Sequence, residues 1–417
     1  MSKTIQLGDY ICTLKGFAFK SQWYEKDGHP IVKVSDFTEN SIDTSKLVKI
    51  PFEVAEKYKK YSLKTNDIVI QTVGSWPSNP ASVVGKTIKV PCQAHGSLLN
   101  QNAVIIYPDK NIDQSYLYYV LKDQNFKDYI VGTAQGAASQ ASITLDAIKG
   151  FELELPDQEV QQKIASILST YDVLIENNNR RITILEEMAR SLYREWFVKF
   201  RFPGHEAVEM VDSELGQIPK GWEVSPLENL CSRITDGSHK SPKSVLEGFP
   251  MASVKDMHDF GLNVNSCRKI SKEDFDDLVR NDCKVTANDI LIAKDGSYLK
   301  HTFVVEKDLD IALLSSIAML RPNNKIKSHF LSYCLKSPEV KERMKQCVSG
   351  VAIPRIILQD FRNFKIIVPT IDIQKQWNNL IEDNIQMCWN LIKQNNLLKT
   401  QRDMLLPKLI SGKLQIT

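Results

Sequence analysis

Residues 143–161 read ITLDAIKGFELELPDQEVQ, and residues 356–374 read IILQDFRNFKIIVPTIDIQ. Set one above the other, Phe151 meets Phe364, Pro156 meets Pro369 and Gln161 meets Gln374. Upstream, Asn66-Asp67-Ile68-Val69-Ile70 is echoed by Asn288-Asp289-Ile290-Leu291-Ile292, and each reads as a strand entered from a polar turn. Anchors that keep one order across a whole chain mark an internal duplication. The order of segments is globular, helical, globular, helical.

After each matched proline comes a long stretch free of glycine, with no further proline until its end. In the first stretch Leu168, Ile175, Ile182, Ala189 and Trp196 recur every seven residues, and Tyr171, Asn178, Leu185 and Leu192 do so offset by three. That pattern is the seam of a coiled coil. Arg201-Phe202-Pro203-Gly204 should stop the helix near Phe200. The second stretch carries Ile381, Cys388, Asn395 and Arg402 on one line, with Trp377, Asn384, Leu391, Leu398 and Leu405 on the other, and Pro407 is expected to end it. Heptads over about forty residues imply rods of roughly 60 Å, too long a stripe for a helix that merely caps its own domain. Two such rods pack most economically on each other, as an antiparallel intrachain coiled coil. Asn178, Asn384 and Asn395 either sit in the seam, lowering stability while fixing alignment, or face solvent at a local stutter.

The expected organisation is a globular unit over 1–156, a helix over 157–200, a linker over 201–221, a second globular unit over 222–369 and a closing helix over 370–417. Within the units, Ala103-Val104-Ile105-Ile106-Tyr107 and Ile317-Ala318-Met319-Leu320 read as strands. Amphipathic helices follow them at 114–127 and, interrupted by Pro338, at 327–345. Strands grouped with helices, without regular β-α-β alternation, give an α+β class with a pseudo-twofold repeat.

Bulk properties agree. A chain of 417 residues exceeds one ordinary core, and 42% hydrophobic with 25% charged residues is a globular composition. No apolar run reaches membrane-spanning length, and the first ten residues lack a secretory pattern, so a cytoplasmic location is expected. Eight scattered cysteines without a C-x-x-C pair argue against zinc and disulfides, and read as buried free thiols. A net charge of +3 permits nucleic-acid binding without demanding it.

The catalytic motifs sought are absent: no P-loop, no G-x-S-x-G elbow and no H-E-x-x-H pair. Asn79-Pro80-Ala81-Ser82 lacks the second proline and the aromatic residue of an amino-methyltransferase loop. No catalytic residue, metal or bound cofactor is expected in the chain. Polar, glycine-rich loops at matched places are instead suited to DNA. In the first unit they offer Ser75 and Trp76 after the repeated strand, then Ser139 and Gln140. In the second they offer Ser238, His239, Lys240 and Lys243, then Lys294, Tyr298 and Lys300, then Arg355. Such side chains serve base edges and phosphates, although Asp-Gly and Gly-Ser also mark ordinary surface turns.

The helical flanks carry a resemblance. Leu155-Pro156-Asp157-Gln158-Glu159-Val160-Gln161-Gln162-Lys163-Ile164-Ala165 looks like the start of the central helix of the S (specificity) subunits of Type I restriction–modification enzymes, and 188–198 resembles its end. Ile218-Pro219-Lys220-Gly221-Trp222 is similar to that family's opening of a second target-recognition domain, and 405–413 to its closing motif. One departure is that the acids Glu159 and Asp372 sit one position earlier than is usual before the glutamine. The resemblance implies a non-catalytic DNA-binding subunit of a host-defence complex, whose two target-recognition domains each read half of a bipartite, asymmetric double-stranded site. It implies helices that set the spacer and dock two methyltransferase (M) subunits. Those partners would bind S-adenosylmethionine for adenine N6 methylation, with restriction motor-nuclease (R) subunits completing the complex. The rival readings are a coiled-coil DNA-binding scaffold and a single-chain DNA methyltransferase with its own recognition domain.

Overall fold

The computed structural model describes residues 3–77, 83–137, 140–280, 284–294, 300–346 and 356–414. It divides into two compact units, Met1–Asn177 with Asn395–Thr417, and Asn178–Gln394.

In the first unit a four-stranded antiparallel sheet runs in the order Ile11–Lys15, Ala103–Pro108, Ile68–Gln71, Thr87–Lys89. Its two central strands are apolar runs buried on both faces, as two-sided burial requires. Alternation then splits each strand between two cores. Ile68, Ile70, Val104 and Ile106 pack with Tyr116, Leu117, Phe126 and Ile130, whereas Val69, Ile88 and Ile105 pack with Val32 and Leu99. A three-stranded sheet, Val48–Ile50, His29–Val32 and Leu98–Leu99, contains the unit's parallel pair. Lys3–Gln6 pairs antiparallel with Glu152–Leu155, leading the chain to the first long helix.

The second unit repeats this plan. Its four-stranded sheet is Cys231–Asp236, Ile317–Pro322, Ile290–Ala293, Thr302–Val304. Arg268–Ile270, Phe249–Ala252 and Leu309–Leu313 again contain a parallel pair, with Lys284–Val285 added at the edge. Glu223–Pro226 pairs with Lys365–Val368. Even the strained turns match: Asn66 and Asn288 hold φ of 70° and 68°, a left-handed conformation that asparagine tolerates better than most residues.

The long helices are Gln158–Tyr193, extended by a wide helical turn over Arg194–Val198, and Ile371–Ile410. Leu168, Ile175, Ile182, Ala189 and Trp196 are all buried, as are Ile381, Cys388, Asn395 and Arg402. On the offset line Asn178, Trp377 and Leu391 are buried, while Tyr171, Leu185, Leu192, Asn384, Leu398 and Leu405 are half-buried. Within the second unit Ile182 packs with Cys388 and Leu391, Asn178 Nδ2 donates to Gln394 Oε1 at 3.1 Å, and the rings of Tyr193 and Trp377 lie 5.8 Å apart. Within the first, Leu405, Leu406 and Leu409 share a core with Ile164, Ala165 and Leu168. The helices are therefore antiparallel in both units. Asn178 and Asn395 lie in the seam and not at a solvent-facing stutter. Arg402 in the first unit is neutralised by Asp172 Oδ1 at 2.5 Å and Asp403 Oδ1 at 2.8 Å, with the Tyr119 hydroxyl donating to Asp172 Oδ2 at 2.6 Å.

The matched glutamines fasten each helix to its unit. Gln161 is buried; its Oε1 accepts from Asp113 N at 2.8 Å, and its Nε2 donates to the carbonyls of Asn111 at 3.1 Å and Pro156 at 2.9 Å. Gln374 does the same with Lys327 N at 2.9 Å and the carbonyls of Lys325 at 3.2 Å and Pro369 at 2.9 Å. A buried amide with both ends satisfied fixes position, because any shift would leave polar groups unpaired.

Several expectations need correcting. The helix over 114–127 is two, Gln114–Val120 and Gln124–Thr133, because the Asp123 side chain accepts from Asn125 N and starts a new cap. The interruption expected at Pro338 is present, the Ser337 side chain accepting from Val340 N to cap a new helix between Ser328–Lys336 and Pro338–Lys345. Pro407 does not end its helix, which runs to Ile410. Leu406 and Leu409 bury on either side of it, and burial outweighs the lost N–H. Cys12 and Cys92 are exposed, whereas Cys231, Cys267, Cys334 and Cys388 are buried free thiols; Cys283 and Cys347 lie outside the described residues. The stretch 201–221, expected as a linker, carries the hairpin Met210–Ser213/Gly216–Pro219 and sends Phe202 and Ile218 into the second unit's core.

Candidate nucleic-acid interface

In the second unit Asp236 pairs with Ala318 and Ala293 pairs with Ile317, so the two strands that flank Ile317–Pro322 finish at the same end of the sheet. Past that edge Ser238 N donates to the Leu313 carbonyl at 2.7 Å. A Cβ on Gly237 would sit 2.3 Å from the Leu313 backbone, so only glycine allows this approach. The Ser238 hydroxyl lies 3.0 Å from Lys240 N and closes the turn.

Lys294 is buried, and its Nζ meets Asp236 Oδ2 at 2.9 Å; His239 Nε2 lies 3.3 Å from the same oxygen. The Lys294 carbonyl accepts from Ile356 N at 3.3 Å, which brings the third loop to the same place. Ser238, His239, Lys240 and Lys294 are thus gathered around Asp236, with Lys294 turned inward as the root of the loops. Removing it would strand a buried carboxylate. Lys240 and Lys243 are exposed, Lys240 Nζ standing 3.9 Å from Asp277 Oδ2, and Lys300 is exposed on the neighbouring loop. Arg268, which the sequence did not single out, holds the first loop by donating to the Pro242 carbonyl at 2.7 Å and the Ser241 hydroxyl at 3.1 Å. Tyr298 and Arg355 lie outside the described residues.

In the first unit Thr72 takes the place of Lys294. Its N donates to the Asn102 carbonyl at 2.8 Å, and its own carbonyl accepts from Ile143 N at 2.9 Å. Val73–Gly74 joins Gln140–Ser142 and Gln135–Ala137 in a small antiparallel sheet. Ser75 and Trp76 follow directly and Gln140 is exposed on the neighbouring strand, so these three are brought together; Ser139 lies outside the described residues. Trp76 is anchored, with Nε1 donating to the Ala137 carbonyl at 2.9 Å and its ring half-buried on the core.

The first unit also has a counterpart to 237–240 that the sequence did not disclose. Gly16 N donates to the Ala103 carbonyl at 3.0 Å, as Gly237 N does to Ile317 at 3.1 Å, and Phe17 N donates to Leu99 as Ser238 N does to Leu313. A Cβ on Gly16 would lie 2.0 Å from the Asn100 carbonyl. Only the glycine is common to the two turns, which is too little for sequence alignment to find. Each unit therefore presents strand-end loops with hydrogen-bonding side chains, joined in the second unit by lysines, the chemistry of groove and phosphate contact. Among the described residues no group of three His, Cys, Asp or Glu could hold a metal, and no helix is long and apolar enough to cross a membrane.

Comparison with known proteins is consistent with this arrangement. The family model for the Type I restriction modification DNA specificity domain matches twice, at residues 2–187 and 219–398. The Type I restriction enzyme MjaIX specificity subunit of Methanocaldococcus jannaschii is 30% identical over 322 residues, covering 76% of this chain and 73% of that protein. The Escherichia coli EcoBI specificity subunit is 23% identical, covering 91% and 78%. The crystal structure of a Type I S subunit from M. genitalium shares the fold, with a TM-score of 0.55 at 17% identity over 100% of this chain and 97% of that one. Two family matches on two units of one plan, each ending in strand-side loops, place the chain in the Type I restriction–modification specificity-subunit family, whose role is DNA sequence specificity.

Proposed function

We propose that each unit reads one half of an asymmetric, bipartite duplex target, and that the paired helices set the spacer between the halves. The observation that carries this reading is one scaffold built twice with unlike loops: Lys294, His239 and Asp236 in one unit stand where Thr72 and the Gly16–Phe17 turn stand in the other. Equal scaffolds with unequal contact chemistry suit two different half-sites.

Partners follow from the outer faces of the helices. Leu174 and Met387 occupy matched positions and are 43% and 41% exposed, and the matched Ile184 and Leu397 are 49% and 64% exposed. Apolar side chains left open at matching places suit two copies of one partner. These copies are the methyltransferase subunits, which carry S-adenosylmethionine and methylate adenine N6, and a motor-nuclease subunit completes restriction. This chain supplies no catalytic group and works in the cytoplasm.

The test is to express the chain with its methyltransferase partner and map methylated adenines genome-wide, before and after adding one heptad to both helices. Two unlike half-sites are expected, with a spacer that widens while the half-sites stay fixed. A contiguous target, or half-sites that change at constant spacing, defeats the proposal.

A further inference from the structure

Beside the Gly16–Phe17 turn the first unit carries an aromatic cluster that none of the DNA-suited loops includes. The Phe17 ring lies 4.2 Å from Tyr58 and 5.4 Å from Tyr61, and Trp23 lies 5.9 Å from Tyr58. These contacts tie the strand-end turn to the short helix Phe52–Lys57 and the turn Lys59–Tyr61. Lysines surround the cluster. Lys20 Nζ stands 5.7 Å over Trp23, Lys60 Nζ stands 4.9 Å over Tyr61, and Lys57 and Lys59 are exposed alongside. Lys59 is engaged by Glu56 at 3.0 Å. A ring face restrains an ammonium group while leaving its donors open to a second ligand.

The equivalent stretch of the second unit has the opposite character. Both stretches follow the strand that pairs antiparallel with the first strand of the parallel pair, Val48–Ile50 in one unit and Arg268–Ile270 in the other. Residues 52–64 hold four lysines against two glutamates, whereas 272–284 hold three basic residues against five acidic ones. In the second unit Asp277 stands where Lys57 does, and it lies 3.9 Å from Lys240. The fold tolerates either sign here, so the basic character of the first unit is not a structural requirement.

We infer that the Lys20, Lys57 and Lys60 face of the first unit is a contact for duplex DNA phosphates that the second unit lacks. It rests on the DNA-specificity reading and names the backbone contact of one half-site. The face continues from the strand end that carries the DNA-suited loops, because Phe17 follows Lys15 on the sheet edge shared with Gln71. Its charge is complementary to phosphate, and phosphate contacts orient a reader without carrying sequence information.

The assay is binding of the assembled complex to a duplex bearing its mapped target, across a salt series. Replacing Lys20, Lys57 and Lys60 together by Gln should make the slope of log K against log salt shallower by about two to three, with the methylated bases unchanged. Arginine at the same three positions should restore the slope, and Arg280→Gln, at the position equivalent to Lys60, should leave it unaltered. An unchanged slope in the triple variant overturns the inference. So does a loss of subunit assembly in its place, which would assign the face to an acidic protein partner, or an equal effect from Arg280→Gln. If the unaltered complex shows no preference for its target, the specificity reading itself fails.

Discussion

Asp67 and Asp289 stand at the same point of two copies of one scaffold, with different partners. Each accepts from the backbone N–H three residues earlier, Lys64 N and Thr286 N, both at 2.8 Å. Asp289 then receives a two-pronged pair from Arg321, Nε at 2.7 Å and Nη2 at 2.8 Å. In the first unit Tyr107 fills the place of Arg321; burial raises the Asp67 carboxyl above its usual range against the Lys64 N–H bond and the charges of Lys64 and His95, and burial together with the Asp67 charge raises the Tyr107 hydroxyl. Backbone bonding is common to both copies, whereas charge is particular to each. The short helices at 52–57 and 272–280 teach the same, one edged with lysine and the other with aspartate. A duplicated frame with unlike charges is what two readers of two unlike half-sites require.

The comparison breaks most easily at Arg321. Arg321→Met leaves a fully buried carboxylate without its cation, and the second unit should lose about 3 kcal/mol. Tyr107→Phe should shift the first unit by less than about 1 kcal/mol. Hydrogen exchange resolved by unit reads both, and equal losses would show that the two aspartates are equivalent after all.

Acid should separate the units next. In the second, burial pushes the His329 imidazole down from 6.5 to about 4, against the opposing influence of Glu382 and in concert with Lys336. The unfolded chain therefore binds the extra proton first, and stability falls as pH drops from 6.5 towards 4, by about 3 kcal/mol. Ser115 occupies the matched place in the first unit and cannot titrate there. His329→Gln should remove this loss, as followed by unit-resolved melting across that range; a loss that persists unchanged assigns it elsewhere.

The smallest effect runs the other way. Because the folded state holds the Asp67 proton more tightly, the first unit is favoured below pH 3.8 and loses that contribution as pH rises through the raised value. Asp67→Asn should flatten the slope in the first unit alone, and an unaltered slope would deny Asp67 the role.

Much of this frame was legible in the residues. Phe151/Phe364, Pro156/Pro369 and Gln161/Gln374 fixed the repeat, and both glutamines make one set of three hydrogen bonds. The DNA-suited loops were less legible. Lys294 reads as an exposed cation beside a Gly-Ser turn, yet Asp236, fifty-eight positions away in sequence, draws it inside. The Gly16–Lys20 turn is not legible in sequence because its equivalence to 237–240 lies in the carbonyls of Leu99 and Leu313, not in its own side chains.

The sequence alone determined the duplication, the heptad seams and the membership of one family, because each is a periodicity or an order along the chain. Tertiary structure decided which polar residues turn inward, as Asn178, Arg402 and Lys294 do, and that Pro407 stays within its helix. It also decided that Lys20 and Lys60 stand over rings of one aromatic cluster, Trp23, Tyr58 and Tyr61. The physical reason is that burial and charge pairing are set by neighbours distant in sequence, and a linear pattern holds no record of them.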